Sequence, residues 1–183
     1  MPHDLALYAT VVLILYAASA LYWRKAGIPA RYLLKSLAIT VAVVFPLTLL
    51  GVAIGWMPLT LALVVLPEEW VRWWMVTRRP RHLRRRHVVI AVGTLFGLLE
   101  TTNWLGIDKA RVALADSGIT APWFVAADAA YIAAEFGFGV IVHGGLTALL
   151  FAVQGRTDNR ERLALGVALA IALHLALDAV FLG

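Results

Sequence analysis

Six predominantly apolar runs, separated by short polar connections, constrain this chain more than any other feature. They fall at about residues 4–23, 33–54, 59–76, 88–104, 131–153 and 162–182. A helix needs ~20 apolar residues to cross the ~30 Å hydrocarbon core of a bilayer, and the runs suit that length. Composition bears on the same point. Hydrophobic residues make up 62% and charged residues 15%, with a mean hydropathy of +0.83. A soluble domain carries about 25% charged residues. The expected fold is therefore all-α: one polytopic membrane domain over residues 1–183, with about six transmembrane helices.

The charges fix an expected orientation. Lysine and arginine number four in the first connection (Arg24, Lys25, Arg31, Lys35), six in the third (Arg78 to Arg86) and three in the fifth (Arg156, Arg160, Arg162). The second connection has none and the fourth has two, Lys109 and Arg111. Positive loops stay in the cytoplasm, so both termini are expected outside, in an inner or plasma membrane. Trp23, Trp73 and Trp74 then fall near the inner ends, and Trp56, Trp104 and Trp123 near the outer ends. Ala18-Ser19-Ala20 has the look of a signal-peptidase site, but the positive charges follow the apolar run instead of preceding it. A retained first helix is expected. The net charge of +5 is read as anchoring beside anionic lipid, and no nucleic-acid partner is expected. With no cysteine in the chain, disulfides, thiolate catalysis and cysteine–zinc sites are excluded. In the longest loop, 105–122, Asp108 is expected to cap a short helix through Ala115, and Asp128 to lie in the outer interface.

Ionisable residues inside such runs are costly and mark functional sites by default. Glu68, Glu69 and Arg72 interrupt the third run, Glu100 and Asn103 the fourth, Glu135 and His143 the fifth, and His174 and Asp178 the sixth. Glu68 lies 10 residues before Arg78, Glu100 13 after His87, His143 13 before Arg156 and His174 12 after Arg162. At ~1.5 Å per helical residue all four sit ~15–20 Å from the inner surface, one layer near the midplane. A polar midplane cavity is the expected consequence. Glu69 and Arg72, three residues apart, are expected to pair and leave Glu68 free to work. His174 and Asp178 share a face, as do Phe96 and Glu100. Pro67 removes one helical hydrogen bond beside the carboxylates. Gly144 and Gly145 beside His143 are expected to permit close helix approach. Glu135 is placed near the outer boundary.

Carboxylates and histidines in a buried site fit two chemistries. A glutamate can activate water, with histidines relaying protons or stabilising an oxyanion. Alternatively, a divalent metal such as zinc, held by His143, His174 and Glu100, can activate the water. Both hydrolyse a bond brought into the membrane.

These residues resemble motifs of the CPBP/PrsW/YhfC superfamily of intramembrane proteases. Glu68-Glu69-x-x-Arg72 is similar to its double-glutamate motif, and Phe96-x-x-x-Glu100 to the second motif of the PrsW branch. His143 matches the single histidine of the third motif and His174-x-x-x-Asp178 the closing one. The resemblance covers roughly residues 60–183. It implies an intramembrane endopeptidase acting on a membrane-embedded peptide or protein, with no cofactor required. Glu68 would activate the water, with Glu69 and Arg72 largely structural. His143, His174, Glu100 and Asp178 would form the rest of the site, with Asn103 as structural support. The arginine that often precedes the third-motif histidine in the PrsW branch is missing, as is the extra histidine of the YhfC branch. Two other classes stay open. The same superfamily includes a non-catalytic assembly subunit, and Pro67-Glu68-Glu69 resembles the motif of small membrane lycopene cyclases, which do not need the two histidines. Substrate, pathway and oligomeric state are not encoded in any motif.

Overall fold

The computed structural model describes residues 2–101, 121–155 and 159–182, and every regular element among them is a helix. They are α1 (Pro2–Lys25), α2 (Ala30–Ile54), α3 (Met57–Thr77), α4 (Arg85–Glu100), α5 (Ala121–Gln154) and α6 (Arg160–Leu182). Each of the six apolar runs supplies one of them. The boundaries follow local chemistry. Gly27 takes the left-handed conformation, φ 67°, and the Ile28 N–H reaches back to the Trp23 carbonyl at 2.9 Å, which closes α1. Pro29, with φ −65°, then opens α2 three residues before the expected start at 33. Gly55, φ 71°, ends α2, and Pro58 sits in the first turn of α3. The turn between them is therefore only Gly55 and Trp56.

The largest difference lies in α5. It is one helix of 34 residues, about 51 Å long at the α-helical rise, and it starts ten residues before the expected 131. Pro122 occupies its first turn, and no later proline interrupts it. Asn103, Trp104 and the expected short helix at 108–115 lie outside the described residues.

Three segments among the described residues are long and apolar enough to cross a membrane: Ala30–Gly51, Ile132–Gln154 and Glu161–Val180. α3 has comparable length but carries three ionisable residues within two turns, and α4 is described over 16 residues. The outer surface is apolar, with Ile14, Phe45, Ile141 and Val180 all exposed. Such a surface suits lipid better than water.

Packing makes a closed ring: α3 on α4, α4 on α5, α5 on α6 and α6 back on α3. Outside it, α1 lies on α4 and α5, and α2 lies on α3. The Tyr32 hydroxyl donates to the Met75 carbonyl at 2.6 Å and ties α2 to α3. The Trp23 indole N–H donates to Thr94 Oγ1 at 2.9 Å and ties α1 to α4. The ring interior is filled by Val71 and Met75 of α3, Val92 and Phe96 of α4, Leu146 and Leu150 of α5, and Ala170 of α6. Apart from Val71, which precedes Arg72, these residues lie along their helices between the polar residues and the basic connections.

Two arginines of the basic connection at 78–87 have structural roles. The guanidiniums of Arg79 and Arg85 lie over the Phe151 ring at 5.6 and 5.2 Å. Arg85 also donates to the Phe151 carbonyl at 3.2 Å. Arg78, Arg81, Arg84 and Arg86 are exposed, as a solvated face should be.

The α4–α5 crossing is the closest. A Cβ on Gly93 would stand 2.7 Å from the Val140 carbonyl oxygen, and one on Gly97 would stand 2.8 Å from that of Phe136. Gly93-x-x-x-Gly97 is a small-residue helix-contact motif, and it went unrecognised in the sequence although its spacing is plain there. The expectation for Gly145 is corrected: it is exposed and a Cβ there would meet nothing within 4 Å. Gly144 is in ordinary contact distance of Val89, at 3.7 Å.

Candidate functional site

Each helix of the ring contributes to one polar cluster. α3 supplies Glu68, Glu69 and Arg72, α4 supplies Glu100, α5 supplies His143, and α6 supplies His174 and Asp178. Helical spacing presents each group inward. The ridge that carries Val65, Glu69, Arg72 and Met75 is buried along its length. Leu66, Trp70 and Trp73 form the opposite, exposed face of α3.

Arg72 is the hub. It is fully buried, forms an ion pair with Glu69 Oε1, and donates from Nη2 to His143 Nδ1 at 2.5 Å. Its guanidinium also lies 5.7 Å from the centroid of Phe96. A guanidinium only donates, so His143 Nδ1 accepts and its proton must be on Nε2. That N–H donates to Glu100 Oε1 at 2.6 Å. Phe96 stacks on the His143 ring, with centroids 4.5 Å apart and planes within 16°. The tautomer of His143 is thus fixed from both sides.

Glu69 Oε1 accepts a second bond, from His174 Nδ1 at 2.8 Å. His174 therefore presents an unprotonated Nε2 on its other edge. That nitrogen faces Glu68 Oε2 and Asp178 Oδ1, each 3.7 Å away. One water can bridge groups at such a spacing. The two imidazoles meet edge to face, with centroids 5.1 Å apart and an angle of 87°.

Burial divides the cluster. The side chains of Glu69, Arg72, His143 and His174 are at most 4% exposed, while Glu68, Asp178 and Glu100 are 17%, 24% and 33% exposed. The sealed groups meet the apolar core, and the three carboxylates face the end of the ring away from the basic connections. Among the described residues, Glu69 Oε2 and Arg72 Nε are buried without a hydrogen-bond partner. A partly satisfied ionic network of this kind is expensive in a low-dielectric interior.

Comparison of the chain with protein-family models, with curated proteins and with solved structures returns no match. The reading therefore rests on the geometry.

All six residues expected at the site, Glu68, Glu69, Glu100, His143, His174 and Asp178, fall within this one cluster. Arg72 does more than pair with Glu69, because it also holds His143. Asn103, the expected support for Glu100, lies outside the described residues. Glu135, two turns before His143 on α5, is partly buried and lies outside the cluster. The trio whose ligand atoms approach within 4.8 Å of one another is Glu68, His143 and His174, with Glu68 in place of Glu100. This donor set suits a dication poorly. Both nitrogens of His143 are engaged, and the Arg72 cation stands against one of them.

Gly139 makes room for the cluster. A Cβ there would stand 2.5 Å from Glu100 Oε2 and 2.7 Å from the Gly97 Cα. Gly139→Ala is expected to push the Glu100 carboxylate off His143 and to lower stability by about 1–3 kcal/mol, the usual cost of overpacking. Thermal unfolding in detergent measures this. Gly145→Ala, with open space around it, serves as the neutral control.

Proposed function

We propose that this protein is an intramembrane endopeptidase of the PrsW/YhfC kind, with six spans, both termini outside and the basic connections in the cytoplasm. The observation that carries the reading is the facing pair of Glu68 Oε2 and His174 Nε2, 3.7 Å apart. Around them, Glu69, Arg72, His143 and Glu100 are joined by hydrogen bonds and an ion pair.

The chemistry follows from that pair. A water held between Glu68 and His174 lies within reach of one base and one unprotonated imidazole nitrogen. Glu68 takes the proton as the water oxygen attacks the scissile carbonyl carbon. The same proton then passes from Glu68 to the leaving amide nitrogen. Glu69 acts through His174, fixing its ring and tautomer as a carboxylate does in a catalytic triad. His143 is held neutral and committed to Glu100, so its N–H is not available to an oxyanion. His174 Nε2 carries no proton in this arrangement, so it accepts from the water and offers no N–H to the oxyanion.

The test is incubation of the reconstituted protein with membrane-embedded peptides, with mass spectrometry of the products. New termini inside an apolar segment support the reading. A pure, folded protein that yields no such product from any peptide and holds a stable partner instead favours a scaffold. The bonded chain from Glu100 through His143, Arg72 and Glu69 to His174, which ties the four ring helices together, would serve that role. Because Arg72 stands where a metal would meet its charge, cleavage is expected to be unchanged by a chelator. Loss on chelation with recovery on added zinc would move the mechanism to a metal-activated water.

A further inference from the structure

α1 and α2 are joined by the short turn Ala26–Pro29, yet they do not pack along each other. One lies on α4 and α5 and the other on α3, so the two diverge from a common apex. The wedge between them is lined by Tyr16 and Trp23 of α1, Leu33, Leu34 and Leu37 of α2, and Leu95 and Leu99 of α4, and it is an open apolar cleft. The indole N–H of Trp23 is already bonded to Thr94, so that wall presents only its apolar face. At the apex stand Arg24, Lys25, Arg31 and Lys35, all exposed. None of these four has an ion-pair partner among the described residues. Arg24 follows Trp23 directly, and Arg31 lies one helical turn before Leu34.

We infer that this wedge is a binding site for one anionic phospholipid. An acyl chain fills the apolar cleft, and the phosphate sits on the basic apex. The match is one of shape and charge together. An empty apolar wedge forfeits dispersion contacts on both walls, and each lysine or arginine near a headgroup favours an anionic lipid. The site is separate from the polar cluster and does not depend on the protease reading.

The experiment is native mass spectrometry of the protein released from nanodiscs of equimolar phosphatidylglycerol and phosphatidylcholine. One retained phosphatidylglycerol is expected, favoured over phosphatidylcholine by about ten-fold or more. Arg31→Gln with Lys35→Gln should abolish that preference, and these exposed substitutions leave the packing untouched. Leu34→Trp, at an exposed position on the rim of the wedge, should displace the retained lipid whatever its headgroup. Arg81→Gln with Arg86→Gln, on the other basic connection, should leave retention as in the parent. Equal retention of the two lipids overturns the inference. So does a loss in the Arg81 and Arg86 variant as large as that in the Arg31 and Lys35 variant, because the charge effect would then be diffuse.

Discussion

Glu68→Gln is expected to reduce cleavage by about 10²–10⁴-fold, the usual share of a general base, while the protein still folds. The amide keeps the size of the carboxylate and the approach to His174 Nε2, but it cannot take a proton. Glu68 is 17% exposed, and among the described residues no hydrogen bond joins it to Arg72 or Glu69, so the amide leaves the bonded network in place. Thermal unfolding of the variant should therefore match the parent. Cleavage by Glu68→Gln at the parental rate removes the assignment of the base. His174→Gln gives a second measure of the same geometry, because it removes the imidazole facing Glu68. If both variants cleave normally, the cluster is not the site of the reaction.

Arg72→Leu is expected to destabilise the fold by about 3–5 kcal/mol, the cost of leaving one member of a buried ion pair behind. Glu69 would keep only the bond from His174, and His143 Nδ1 would lose its donor. The measurement is thermal or denaturant unfolding in detergent micelles, with cleavage in parallel. A control separates charge from packing. Glu69→Leu with Arg72→Leu removes both charges and should recover much of the stability, since replacing an entire buried pair by apolar groups is often neutral or better. Activity should not return, because His174 then lacks the carboxylate that fixes its tautomer. Recovery of both stability and cleavage in the double variant would show that Glu69 does not position His174.

The α3 residues show how far the chain could be read without coordinates. Glu69 and Arg72 stand three apart, and any helix brings them together, so their pairing was legible from spacing alone. The same holds for His174 and Asp178 on one face of α6, and for the common level of Glu68, Glu100, His143 and His174 above the basic connections. Gly93 and Gly97 were equally legible, by a motif of small residues four apart. Helix ends were less so, because Pro29, Pro58 and Pro122 open helices as readily as they break them. The start of α5 ten residues early is the clearest instance.

By itself, the sequence determined that the chain is helical and apolar, where six helices lie, and which ionisable residues share a level. These follow from short-range periodicity and from the cost of burying charge, and both act along the chain. Only the tertiary structure decided which residue meets which. Arg72 reaches His143 from a different helix, Glu69 turns to His174 across 105 positions of sequence, and both nitrogens of His143 are taken. Those choices depend on the order of α3, α4, α5 and α6 around the ring and on the close α4–α5 crossing. Local spacing carries no record of either, because a helix periodicity says which face is buried and not which neighbour covers it.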